Sequence, residues 1–151
     1  MRHSTYRAGG KVVLGLAAAL SLAAVGSASA QEGGRKLSTT LSGAAERPGP
    51  GDPDGSGSFS GRVNIGKSQL CYELTVKAIA PAMAAHMHEG PPSAAGPIRI
   101  NLKAATTGAS SGCVAIDAAL AKDLVQSPED YYVNVHNREF PAGAVRGQLR
   151  K

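Results

Sequence analysis

The sequence predicts an all-β fold, an antiparallel β-sandwich with one short helix in a connection. Three observations carry this prediction. Apolar and polar residues alternate at period two through most of the chain, the alternating runs are short, and turn residues punctuate them, with 19 Gly and 9 Pro in 151 residues. A strand sends successive side chains to opposite faces, so such runs bury one face of a sheet and leave the other polar.

The first thirty residues stand apart. MRHSTYRAGGK carries Arg2, Arg7 and Lys11 without an acid, the apolar run VVLGLAAALSLAAVG follows, and Ala28-Ser29-Ala30 closes it. A positive start, an apolar middle and a small-residue end describe a secretory signal peptide, with cleavage expected after Ala30. Residues 31–151 are then one domain, exported to a periplasm or secreted. The apolar run falls short of the roughly 20 residues of a membrane span, and no Cys follows the cleavage point to take a lipid, so no membrane insertion is expected after cleavage. The leader holds three of the 16 Lys and Arg and none of the 11 Asp and Glu, which leaves the domain at +2. Without a Lys/Arg run or aromatic-basic interleaving, nucleic acid is not an expected partner.

After the Gln-Glu-Gly-Gly lead, strands are predicted over residues 36–42 and 57–65. The loop between them, ERPGPGDPDGSG, contains Asp-x-Asp-Gly but lacks the closing bidentate Glu of a calcium loop, so it reads as a flexible turn. In QLCYELTVK, residues 69–77, Leu70, Tyr72, Leu74 and Val76 take one face and Cys71, Glu73, Thr75 and Lys77 the other. A strand around 85–88 is followed by one over 97–102, where Ile98, Ile100 and Leu102 alternate with Arg99 and Asn101. Asp117 is placed to cap a helix through Gln126, which Ser127-Pro128 stops. Tyr131, Val133 and Val135 then alternate with Tyr132, Asn134 and His136, and Val145, Gly147 and Leu149 with Ala144, Arg146 and Gln148.

Cys71 and Cys113 are the only cysteines. An even count in an exported chain predicts a disulfide, worth roughly 3 to 4 kcal/mol for a closure of about 40 residues. No C-x-x-C spacing favours a thiolate metal site. Because Cys71 shares a face with Glu73 and Lys77, the bridge is expected over the sheet rather than inside the core.

Histidines supply the chemical signal. Outside the leader there are three, His86, His88 and His136. Residues i and i+2 of a strand point the same way, so His86 and His88 project together while Met87 faces the core. His136 ends a second strand on the Tyr132/Asn134 face. Two imidazoles at H-x-H with a third from another strand form a three-nitrogen set, a donor type that suits copper and zinc. Alone, His136 reads as a surface residue at a strand end. No G-x-S-x-G elbow in a strand-to-helix context, no phosphate loop and no carboxylate pair away from a helix end supports other catalysis.

LSGAAERP at 41–48, AAHMHEG followed by GPIRINL, GCVAIDAALAKDL, and YYVNVHNREFPAGAVRGQLR together resemble the successive motifs of the CHRD (chordin-type) domain family over about 36–150. The resemblance implies an immunoglobulin-like β-sandwich and an extracellular or exported setting. A more distant likeness is to copper/zinc superoxide dismutase, another β-sandwich, which presents an H-x-H strand, a later V-x-H strand end and a Gly-containing loop with an anion-guiding Arg in the same order. That likeness implies His86, His88 and His136 as copper ligands and Arg146 as the residue drawing in a small anion such as superoxide. The zinc-loop and bridging ligands have no counterpart between Glu89 and Asn101, so a copper-only or mononuclear site is implied. Glu89, Asn134 and Tyr132 are candidates to hold the imidazoles from behind, Tyr132 equally as rim packing, and Arg146 equally as a carbonyl-binding brace. The rival expectations are a non-catalytic extracellular or envelope interaction module with an unknown protein partner, and a histidine-gated pH response.

Overall fold

The computed structural model describes Met1 and residues 33–151. The predicted signal peptide otherwise lies outside the described residues. Eight strands follow in chain order: β1 (Arg35–Ser42), β2 (Ser56–Asn64), β3 (Gln69–Lys77), β4 (Ala84–Glu89), β5 (Ile98–Leu102), β6 (Ala109–Ala115), β7 (Tyr131–His136) and β8 (Val145–Gln148). One α-helix, α1 (Ala118–Gln126), fills the β6–β7 connection.

The strands form one antiparallel sheet in the order β5-β4-β7-β8-β1-β2-β3-β6. β1 meets β8 only through Ser42 opposite Arg146, with a further bridge from Ser38 to Arg150. This thin seam divides the sheet into two four-stranded halves. Leu37, Leu41, Phe59, Leu70 and Leu74 of one half and Met87, Ile100, Val133, Val135 and Val145 of the other belong to a single buried cluster. The all-β, sandwich-like architecture with one short helix is therefore observed, and the faces read from alternation in β3 and β7 are the buried ones.

Helix α1 starts where its cap predicts: Asp117 Oδ1 accepts from the Leu120 N–H at 2.7 Å, a cap worth about 1 kcal/mol. It buries Leu120, Ala121 and Leu124. Three local readings differ from the structure. β6 was not predicted, because ASSGCVA has no buried face for alternation to reveal; pairing with β3 makes it an edge strand. In β5, Met87 pairs with Ile100 but His88 pairs with Ile98, so Arg99 is bulged out and Ile98 is turned from the core, 49% exposed. The loop over 46–57, predicted as a flexible turn, is tied down: Gly51 N–H donates to Gly43 O at 2.8 Å and Asp52 N–H to Ala144 O at 2.9 Å.

Cys71 and Cys113 are bonded and stand directly opposite each other on β3 and β6, 42 residues apart in sequence. The bridge lies on the outer face, as the alternation predicts, and pins the edge strand. Lys36 on β1 stands opposite Arg62 on β2; with Arg35 and Lys151 they line a surface groove of about 440 Å³, a gathering of positive charge that no local run announces.

Candidate metal centre

The register of β4, β7 and β8 builds the site. His86 stands opposite Asn134, which stands opposite Arg146; His88 stands opposite Tyr132, which stands opposite Gln148; and His136 pairs with Ala84. All these side chains occupy the face turned away from the apolar core, because Met87, Val133 and Val135 take the other. That second face is largely covered, with His86 and His136 left half-buried. His88, Asn134, Tyr132 and Arg146 are all buried, beneath the 90–97 loop and the 43–52 segment.

The three histidines converge. His86 Nδ1 and His136 Nε2 are 3.0 Å apart, and one ligand nitrogen from each of the three rings lies within 4.8 Å of the other two. The His86 ring lies edge-on to His88 at 5.6 Å between centroids. Imidazole nitrogens sharing one tetrahedral ion at roughly 2.0 to 2.1 Å are about 3.4 Å apart, a spacing that falls between the His86–His136 distance and the outer limit of the cluster.

Each ring has its tautomer directed by a carbonyl or a neighbour. His88 Nδ1–H donates to Gly96 O at 2.8 Å, and His136 Nδ1–H donates to Pro141 O at 3.0 Å. Both therefore turn Nε2 lone pairs away from the backbone, the arrangement that orients ligating histidines. His88 Nε2 is buried and has no hydrogen-bond partner. Burial lowers the His86 pKa below its ordinary value of 6.5, helped by the neighbouring imidazoles of His136 and His88. Burial also lowers that of His136, against the bond to Pro141. Neutral rings keep their lone pairs available.

The surrounding residues brace this set. Tyr132 stacks on His88 at 4.8 Å with 4° between planes, and the Arg146 guanidinium sits 3.4 Å from the centre of the same tyrosine ring. Tyr132 OH accepts from Gly96 N–H at 2.9 Å. A Cβ at Gly96 would overlap the Glu89 carbonyl, so only glycine lets this backbone approach both His88 and Tyr132. Arg146, 1% exposed, donates to Ala94 O at 3.0 Å and Pro91 O at 2.8 Å. Gln148, on the same face, donates to Gly90 O at 2.8 Å. Together they clamp the 90–97 loop over the site, and the strand order puts Arg146 two strands from His86, about 10 Å away.

Of the residues placed around the imidazoles by the sequence, Tyr132 and Asn134 lie against them, with Asn134 Oδ1 3.1 Å from His136 Nε2. Glu89 instead forms an ion pair with Arg99 at the surface. One buried acid carried no chemical signal in the sequence. Glu46 is 2% exposed, its Oε1 has no partner, and burial pushes its pKa up to about 7 against the lowering effect of the Arg146 charge. The Asn134 amide is its hydrogen-bonding neighbour. Gly143, at φ +146°, leaves room for that carboxyl, which any Cβ there would strike.

No curated protein and no solved structure gives a significant match to the chain. A family model described as the CHRD domain matches residues 37–149, spanning β1 to just past β8 and all three histidines. The chain belongs to the CHRD domain family.

Proposed function

We propose that this chain is an exported copper-binding protein whose site is His86, His88 and His136. The observation that carries the reading is the convergence of three imidazoles from β4 and β7, with His88 Nε2 buried and unpartnered. An unmade hydrogen bond at a buried nitrogen costs about 1 to 3 kcal/mol, and a metal ion removes that cost. Three nitrogen donors with no carboxylate or thiolate among them favour copper over zinc at equal availability. Copper bound there supplies one-electron redox chemistry.

Export is supported by the leader pattern and by the disulfide, which fits an oxidising compartment. Among the described residues no helix is long and apolar enough to cross a membrane. The reading stops at binding and handling of the metal, because the Arg146 N–H groups are engaged by Pro91 and Ala94 rather than turned to an incoming anion.

The test is copper and zinc titration of the purified chain, followed by calorimetry and metal analysis, beside a His86→Ala/His88→Ala variant. Stoichiometric copper in the parent and its loss in the variant are expected. A variant that binds copper as tightly as the parent ends the reading. Assaying superoxide removal by the loaded protein separates an enzyme from a carrier.

A further inference from the structure

The three-histidine reading leaves one contact unexplained. Asn134 Oδ1 sits 3.1 Å from His136 Nε2, and His136 has its ring proton on Nδ1, where Pro141 O holds it at 3.0 Å. In the neutral ring Nε2 bears a lone pair, and an amide oxygen bears only lone pairs. Two acceptors therefore face each other, Asn134 being 4% exposed, and in the metal-free protein the proton beside them is the His86 Nδ1–H that donates to His136 Nε2. Such a pairing is repulsive unless a cation lies between or beside the two atoms.

The amide is not free to relieve this by turning over. Its other end meets the Glu46 carboxyl, which is fixed by burial, by the nearby Arg146 charge and by the space at Gly143. In its ionised form, which the bond from Asn134 favours and which prevails above about pH 7, this carboxyl accepts, so it draws the NH2 group toward itself and leaves Oδ1 toward the histidines. Asn134 is also the register partner of His86, which places its side chain beside both His86 and His136, the two rings already in contact.

We propose that Asn134 Oδ1 is the fourth ligand of this centre, making it a three-nitrogen, one-oxygen site, with Glu46 as the positioning residue that aims the amide oxygen. This rests on the three-histidine reading and sharpens it. An oxygen donor beside three imidazoles suits Cu(II) or Zn(II) better than Cu(I), so the proposed resting ion is divalent. It also assigns Glu46 a reason for its burial that the fold alone does not supply.

The experiment is titration of the full chain with Cu(II) and Cu(I), with electron paramagnetic resonance of the Cu(II) form, for the parent and for Asn134→Leu, Asn134→Asp, Glu46→Gln and His86→Ala. Expected is an Asn134→Leu affinity for Cu(II) about 10- to 100-fold weaker with little change for Cu(I), and a similar but smaller loss for Glu46→Gln. Asn134→Asp retains Cu(II) with a shifted spectrum, since a charged oxygen replaces a neutral one. Should Asn134→Leu fail to fold, as judged by circular dichroism, the Asn134→Asp spectrum decides. A spectrum unchanged in Asn134→Asp, or unchanged Cu(II) affinity in folded Asn134→Leu while His86→Ala loses the metal, overturns the fourth ligand and leaves the histidine site standing. A parent that takes up neither ion overturns both.

Discussion

His86 Nδ1 lies 3.0 Å from His136 Nε2 across fifty residues of sequence. The contact exists because β4 and β7 pair with His86 opposite Asn134, and His136 is the next residue on that face. In the metal-free protein His86 donates to His136, whose own proton is held by Pro141. Metal uptake at this pair would require that proton to leave Nδ1 of His86.

Both rings are shifted below the usual 6.5 by burial, so protons compete weakly for their lone pairs. Copper is expected to remain bound on acidification through pH 6.5 and to leave only at lower pH, as read by metal-binding titrations across pH. For the apo protein, groups with depressed pKa values give stability that is present above 6.5 and lost as pH falls through the folded values. Release centred above pH 6.5 would contradict the placement of these rings.

Glu46 works in the opposite direction. Its folded pKa of about 7 lies above the ordinary 4.5, so the folded state binds its proton more tightly than the unfolded chain does. Its contribution is fully present below pH 4.5 and is lost as pH rises through about 7, a change of roughly 3 kcal/mol. In chelator, urea unfolding of Glu46→Gln should lack this fall and should match or exceed the parent above pH 7. Parallel pH profiles for the two proteins would refute it.

Arg146 tests whether the clamp over the site is structural. Lysine keeps the charge but cannot reach Pro91 O and Ala94 O together or stack flat on Tyr132. Arg146→Lys should lose roughly 2 to 4 kcal/mol and speed amide exchange in residues 90–97. Undiminished stability would refute the clamp.

Reducing the Cys71–Cys113 bridge should cost about 4 kcal/mol for a separation of 42 residues. Because β6 is an edge strand without a buried face, its amides are expected to lose protection before those of β1 and β2. Hydrogen exchange with and without reductant checks this, and uniform loss across the sheet would argue against it.

Much of the site was legible in the sequence because a strand's period is local. The spacing of His86 and His88, and of Tyr132, Asn134 and His136, places them on a common side without knowledge of what covers it. The same reasoning put Cys71 outside the core, and the preference of Asp for helix starts put Asp117 at the cap. Ile98 escaped it because a single bulged residue, Arg99, reverses a face, and β6 escaped it because a strand with no buried side has no pattern to show.

The chain's own alternation determined which side of each sheet half is apolar, where the histidines point and that a disulfide closes over the sheet. Tertiary structure alone decided that the polar side is itself enclosed. Arg146, Gln148 and Gly96 bring a loop down over it, and Glu46 arrives from a segment forty residues before His86. The physical reason is that burial of a polar face depends on partners remote in sequence, and periodicity within one strand cannot specify them.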